Sequence, residues 1–152
     1  MISKGISAML RTLGLAVVIV LGAGCTHQKS VMQTGTWTDP DAVKGTTWQW
    51  LSKTGKKEML EVAQPERYTL TLQPDGRVQA QFDCNKGNGA YEISDGKLEF
   101  GPIATTQMAC LPGSLDSVYA QALLQVERFR VEDGELILGL SEGGNMRFRA
   151  AP

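Results

Sequence analysis

Three cysteines carry the most specific chemistry in this chain, and their positions divide them into one plus two. Cys25 follows Gly22-Ala23-Gly24. Cys84 lies within Phe-Asp-Cys-Asn-Lys-Gly-Asn-Gly-Ala-Tyr (Phe82 to Tyr91), and Cys110 closes Ile-Ala-Thr-Thr-Gln-Met-Ala-Cys (Ile103 to Cys110). A cysteine directly after the small residues of an export signal is a site for lipid attachment. The other two thiols are then exposed to an oxidising compartment, where they are expected to pair. Closing a loop of this length stabilises a fold by about 3.5 kcal/mol in the chain-entropy description. The competing reading is a redox dithiol. Such pairs are usually close together, as in Cys-X-X-Cys, whereas these two are far apart and have no neighbouring histidine. A structural disulfide is therefore expected.

Other reactive groups are sparse. His27 is the single histidine and stands two residues from Cys25, which suits no positioned base. No Cys, His and carboxylate set has metal-ligand spacing. Met32, Met59, Met108 and Met146 fall in separate segments. Asp83 and Glu99 are two acids that could meet in space, though nothing in the sequence brings them together. The expectation is a protein without catalytic residues, metal or cofactor.

The segment that delivers Cys25 has the three parts of a secretory signal. Lys4 and Arg11 give a positive start, Leu13 to Leu21 is an apolar run, and Gly22 to Gly24 are small. The run is shorter than the roughly 20 apolar residues a spanning helix needs. Gly22 stands where a lipobox usually has Leu, and Leu21 is one position further away. A soluble exported form and an uncleaved anchor are the alternatives to acylation. Thr26 favours outer-membrane over inner-membrane placement where sorting follows the enteric pattern. Several acyl chains, at about 0.8 kcal/mol per buried methylene, make a firm membrane anchor.

Losing Lys4 and Arg11 with residues 1–24 takes two positive charges from a formal net charge of −1 and leaves −3. No basic stripe offers electrostatic support for nucleic-acid binding. Lys53, Lys56 and Lys57 cluster around Gly55 and read as a solvated hairpin connection. Residues 25–43 read as a lipidated N-terminus and polar tether, with Trp37 either docked on the domain or near the lipid interface. Residues 44–152 make one domain.

Within that domain, turn residues separate alternating runs. Trp48 and Trp50 share one strand face. Tyr68, Leu70 and Leu72 alternate, as do Val78, Ala80 and Phe82, with Gln73-Pro74-Asp75-Gly76 between them. Asp95-Gly96, Asp133-Gly134 and Glu142-Gly143-Gly144 mark further hairpins, and Asn88-Gly89 reads as a tight turn, with a binding loop as the sharper alternative. One segment changes period. Leu115, Val118, Tyr119, Ala122 and Val126 have helical spacing, Pro112-Gly113 breaks what precedes, and Ser114 can cap. The fold class expected is β-rich α+β, with antiparallel hairpins forming a coiled sheet or barrel and one packed helix at about 115–127. Tyr68, Leu70, Val78, Phe82, Leu136 and Leu138 are expected to fill the interior, which disfavours an internal small-ligand cavity.

Gly45-Thr46-Thr47-Trp48, Leu70 to Gly76, Cys84-Asn85 with Gly89 and Tyr91, and Thr105-Thr106-Gln107-Met108-Ala109-Cys110 together resemble the META domain, the family of HslJ-like heat-shock lipoproteins. The closing Gly134, Leu136 and Leu138 also fit, so the resemblance spans roughly Gly45 to Arg149. Asp83, Gly87 and Gln107 depart from the residues usual there, which are Gly, an aromatic and Arg. The resemblance implies a compact β-rich envelope domain, with links to heat shock, drug tolerance, motility and virulence. The leading functional expectation is a non-enzymatic, lipid-anchored envelope protein that acts through protein contacts. The candidate surface is Asn85, Asn88, Tyr91, Thr105, Thr106, Gln107 and Met108. Inhibition of a periplasmic or host hydrolase is the second expectation, favoured by a rigid protruding loop at 86–89. Small-ligand binding is the third.

Overall fold

The computed structural model describes residues 36–37 and 39–152. The signal segment 1–24, Cys25, His27 and most of the tether lie outside the described residues. The elements are β1 (Thr36–Trp37), β2 (Thr47–Thr54), β3 (Met59–Glu61), β4 (Tyr68–Leu72), β5 (Arg77–Phe82), β6 (Asn85–Ser94), β7 (Lys97–Phe100), β8 (Ala104–Thr105), α1 (Asp116–Leu123), β9 (Val126–Glu132), β10 (Glu135–Leu140) and β11 (Asn145–Ala150). Among them, no helix is long and apolar enough to cross a membrane.

The hairpin turns set the sheet's course. At Asp95-Gly96 and Asp133-Gly134 both residues have positive φ (50° and 76°, 52° and 81°). That combination matches the right-handed strand twist and suits Asp-Gly. Eight strands pair antiparallel in the order β9, β10, β11, β2, β4, β5, β6, β7, and β7 returns to β9 through Lys97 and Arg128, closing a barrel. Closure removes the sheet edges that would otherwise invite pairing. Three short strands sit outside this circuit: β1 on β9, β3 on β2 and β8 on β6.

Alternation places the core. Tyr68, Leu70, Leu72, Val78, Ala80, Phe82, Leu136 and Leu138 are all buried, as their spacing requires. In β2, Ser52 pairs with Arg147 and Trp50 with Phe148, so Leu51 is an extra residue that bulges the strand. The bulge keeps Trp48 and Trp50 inside. Their indoles donate to the carbonyls of Val43 at 3.0 Å and Ser52 at 2.8 Å. Helix α1 covers the interior with Tyr119, Ala122 and Leu123. Tyr119 stacks on Trp50 at 4.8 Å between ring centroids and meets Phe82, Tyr68 and Phe148 at 5.3, 5.9 and 6.3 Å. The barrel interior is thus occupied by aromatic and aliphatic side chains.

Three expectations change. The helix is shorter than 115–127, because Val126 starts β9 opposite Leu140 and the Gln125 carbonyl accepts from Ser141 N–H at 2.8 Å. Sheet pairing outcompetes the last helical turn, and Val126 serves the barrel face. Ser114 does receive the Asp116 N–H, at 3.2 Å, and Tyr68 Oη receives that of Leu115 at 2.8 Å. Second, the fold reaches into the segment read as tether. The Trp37 backbone pairs with Val131, and Val43 is fully buried. Third, Asn88-Gly89 is mid-strand in β6 and makes no turn. The reversal falls at Asp83-Cys84, where Asp83 takes φ 60°.

Candidate functional site

The reversal at Asp83-Cys84 is held from several sides. The Asp83 carboxylate is buried and paired to Arg67. Its N–H donates to the Arg67 carbonyl at 2.8 Å. Cys84 is bonded to Cys110, with Cα atoms 5.6 Å apart. The next residue, Asn85, is 5 % exposed and binds the chain that precedes Cys110. Asn85 Oδ1 accepts from Met108 N–H at 2.8 Å and from Thr106 Oγ1 at 2.9 Å, and Nδ2 donates to the Met108 carbonyl at 3.0 Å. Thr106 Oγ1 accepts from Lys86 N–H at 3.0 Å, and Thr106 N–H donates to the Lys86 carbonyl at 2.9 Å. The segment 103–111, called the arm below, is therefore clasped to the barrel by a disulfide and a saturated amide.

The two glycines of β6 explain how closely the arm lies. A Cβ on Gly87 would stand 2.8 Å from both Ile103 Cγ2 and Phe82 Cε2, and 2.9 Å from Thr105 Cγ2. One on Gly89 would stand 2.9 Å from the Pro102 carbonyl oxygen. These glycines give the arm room to approach, which is a different need from turn formation.

Between the arm and α1 runs an open groove of about 420 Å³, lined by Phe82, Asn85, Thr105 to Ala109, Asp116, Ser117 and Ala120. Exposed apolar side chains stand on the arm and on α1, and one of them, Met108, is in the lining itself. Met108 is 58 % exposed, Leu111 75 % and Val118 40 %. Asp116 is the single charged side chain of the lining.

The seven residues expected at a binding surface separate into three groups. Thr105, Thr106, Gln107 and Met108 line the groove. Asn85, which also lines the groove, and Tyr91, which does not, are positioning residues. Asn85 holds the arm, and Tyr91, 9 % exposed, donates its hydroxyl to the Gln73 carbonyl at 2.6 Å and so fixes the β4–β5 turn. Burial raises the Tyr91 pKa, with nearby Lys44 opposing. Asn88 is exposed on the outer barrel surface, paired between Gln79 and Ala104, and is not part of the groove lining. Phe82, Ala109, Asp116, Ser117 and Ala120 were not expected there. The i, i+4 spacing of Asp116 and Ala120 signals a shared helix face, but which face meets the arm is a tertiary matter.

The other sequence candidates are accounted for simply. Lys86 to Gly89 is paired on both sides, by β5 and by β8, so no protruding loop stands there for a hydrolase. Asp83 is tied to Arg67, while Glu99 is exposed opposite Glu92, some seven strand residues beyond Asn85, or about 23 Å. Lys56 and Lys57 are exposed in the β2–β3 connection. Among the described residues, no three His, Cys, Asp or Glu side chains gather as a metal site.

Three solved structures share this architecture. A protein from Burkholderia xenovorans, solved by NMR, superposes with TM-score 0.65 at 24 % identity, covering 83 % of this chain and 96 % of its own. A duf4847 family protein from Bacteroides vulgatus ATCC 8482 gives 0.54 at 12 % identity, over 72 % and 94 %. A further NMR structure gives 0.56 at 17 %, over 71 % and 92 %. These likenesses establish the fold alone. No curated protein matches the chain. The family model described as META domain matches residues 41–152, from just before the buried Val43 to the last residue. Most of the chain, including both cysteine segments and the helix between the arm and β9, thus falls under one family description, and the chain belongs to the META domain family.

Proposed function

We propose that this protein is a non-catalytic, lipid-anchored component of the bacterial cell envelope, held by acyl chains on Cys25, with a stress-response or maintenance role exercised through protein contacts. The observation that carries the reading is the groove between the arm and α1. It is open, clasped by the disulfide and Asn85, and lined in part by Met108, a large apolar side chain that stays exposed, as does Leu111 on the same arm. The disulfide and the Asn85 clasp fix its shape before a partner arrives, which lowers the ordering cost of association. Membership of the META domain family supports an envelope setting without naming a reaction.

Two experiments test the reading. Cells fed an alkyne fatty acid should label the wild-type protein and leave Cys25→Ser unlabelled. A photo-crosslinking residue at position 111 should trap an envelope protein, while the same residue at exposed position 92 on the outer barrel surface should not. Equal crosslinking from both positions would remove the groove from the reading.

A further inference from the structure

The arm meets the barrel with every second residue. Ala104 pairs with Asn88, and Thr105 with Gly87. Thr106 N–H donates to the Lys86 carbonyl. Met108 gives both its main-chain groups to Asn85. In an antiparallel ladder the N–H and C=O of successive residues point to opposite edges. Thr106 and Lys86 form a hydrogen-bonded pair, so the adjacent Thr105–Gly87 pair is a non-hydrogen-bonded one. The main-chain groups of Thr105, Gln107 and Ala109 therefore present the opposite edge, and among the described residues no hydrogen bond engages those of Gln107 or Ala109. Those three residues line the groove beside α1.

Strand edges left open in this way are usually blunted by Lys, Pro, a bulge or a covering element. The arm sequence Ala-Thr-Thr-Gln-Met-Ala (104–109) carries none of these residues. We propose that this edge receives an extended segment of a partner protein, which adds as a strand beside β8 and lies along the groove against α1. The inference rests on the proposed role of the arm and helix as the contact surface, and it specifies what that surface takes. Main-chain bonds to Thr105, Gln107 and Ala109 supply register, and alternate side chains of the added strand enter the groove. Phe82 and Ala120 with Met108 suit an apolar side chain. Asp116 suits a Lys or Arg next in the alternation, because it faces no competing cation within the lining. The partner segment is thus an extended peptide with an apolar and a basic residue two positions apart.

The test uses the oxidised full chain in mild detergent, panned against a displayed library of random linear peptides. An enriched peptide is synthesised and titrated against wild type, Gln107→Ala and Gln107→Pro, with amide exchange recorded residue by residue. Gln107→Pro removes an N–H that no group among the described residues uses, and should weaken binding by about tenfold or more. Gln107→Ala should stay within about twofold. The amides of Thr105, Gln107 and Ala109 should gain protection, while those of Thr106 and Met108 stay as they were. Thr105→Pro should repeat the loss, and replaces Gln107→Pro if that variant does not fold. Binding at the arm that ignores both prolines, or that Gln107→Ala abolishes, overturns strand addition and leaves the contact surface standing. Binding elsewhere, or no enriched peptide, overturns both. Self-association of the free chain with the same amide protection replaces the partner peptide by a second copy, and so overturns the proposal.

Discussion

The side-chain amide of Asn85 closes both main-chain groups of Met108, accepting its N–H at 2.8 Å and donating to its carbonyl at 3.0 Å. One buried amide thereby does for the arm what a strand ladder does elsewhere. Replacing it strands groups that are already out of water. Asn85→Ala should lower unfolding free energy by about 1–3 kcal/mol in urea titration. Asn85→Asp should lose the donor to Met108 and set a carboxylate against that carbonyl, so it should be no better. A loss within experimental error for both would show that the arm holds without the clasp.

Gly87→Ala tests the close approach. Its Cβ would crowd Ile103, Phe82 and Thr105 together, all within 2.9 Å. An overpacked site of this kind costs about 1–3 kcal/mol. The amide resonances of 103–106 should move while those of the β9–β10 hairpin stay, and a silent spectrum would count against the packing argument.

Tyr119 is fully buried at the centre of the aromatic cluster, and among the described residues no group bonds its hydroxyl. Removing that hydroxyl removes an unpaid desolvation, so Tyr119→Phe should be neutral or stabilising by up to about 1 kcal/mol. Tyr119→Ala should cost about 3–5 kcal/mol, the usual range for an aromatic deleted from a core. Thermal melts of the two variants separate the hydroxyl from the ring.

The same residue sets an alkaline limit. Burial pushes the Tyr119 pKa well above its ordinary 10.0. A raised folded pKa means the native state keeps a proton that the unfolded chain releases. This contribution is fully present below pH 10 and is lost as pH rises beyond it. Stability of the wild type should fall above that pH, and Tyr119→Phe should flatten the fall. Identical pH profiles would assign the alkaline loss to other groups.

Alkylation of the native, unreduced protein should leave Cys84 and Cys110 unlabelled, since they are joined. Reduction should lower stability by about 3.5 kcal/mol, because the unfolded chain regains the entropy that the closed loop had removed. Limited proteolysis should then cut the arm near exposed Leu111 before it cuts the barrel.

Local chemistry determined much of this protein. Alternation named the inward residues of β4, β5 and β10, since a strand's side chains have a fixed period of two. Asp95-Gly96 and Asp133-Gly134 announced their turns, because few residues tolerate two successive positive φ angles. The cysteine count indicated which thiols would pair. Other features depended on contacts between distant segments. Asn88-Gly89 has the composition of a turn, yet its glycine is there because Pro102 passes close by. Val126 has helical spacing, yet pairing with Leu140 draws it into a strand. Asn85 lines the groove but spends its amide on Met108, Tyr91 spends its hydroxyl on Gln73 outside the groove, and the groove also draws Asp116 and Ala120 from the helix. Sequence period reports which side of its own element a residue occupies. Which elements face one another is set by barrel closure and the Cys84–Cys110 tie, and the groove exists only once both are in place.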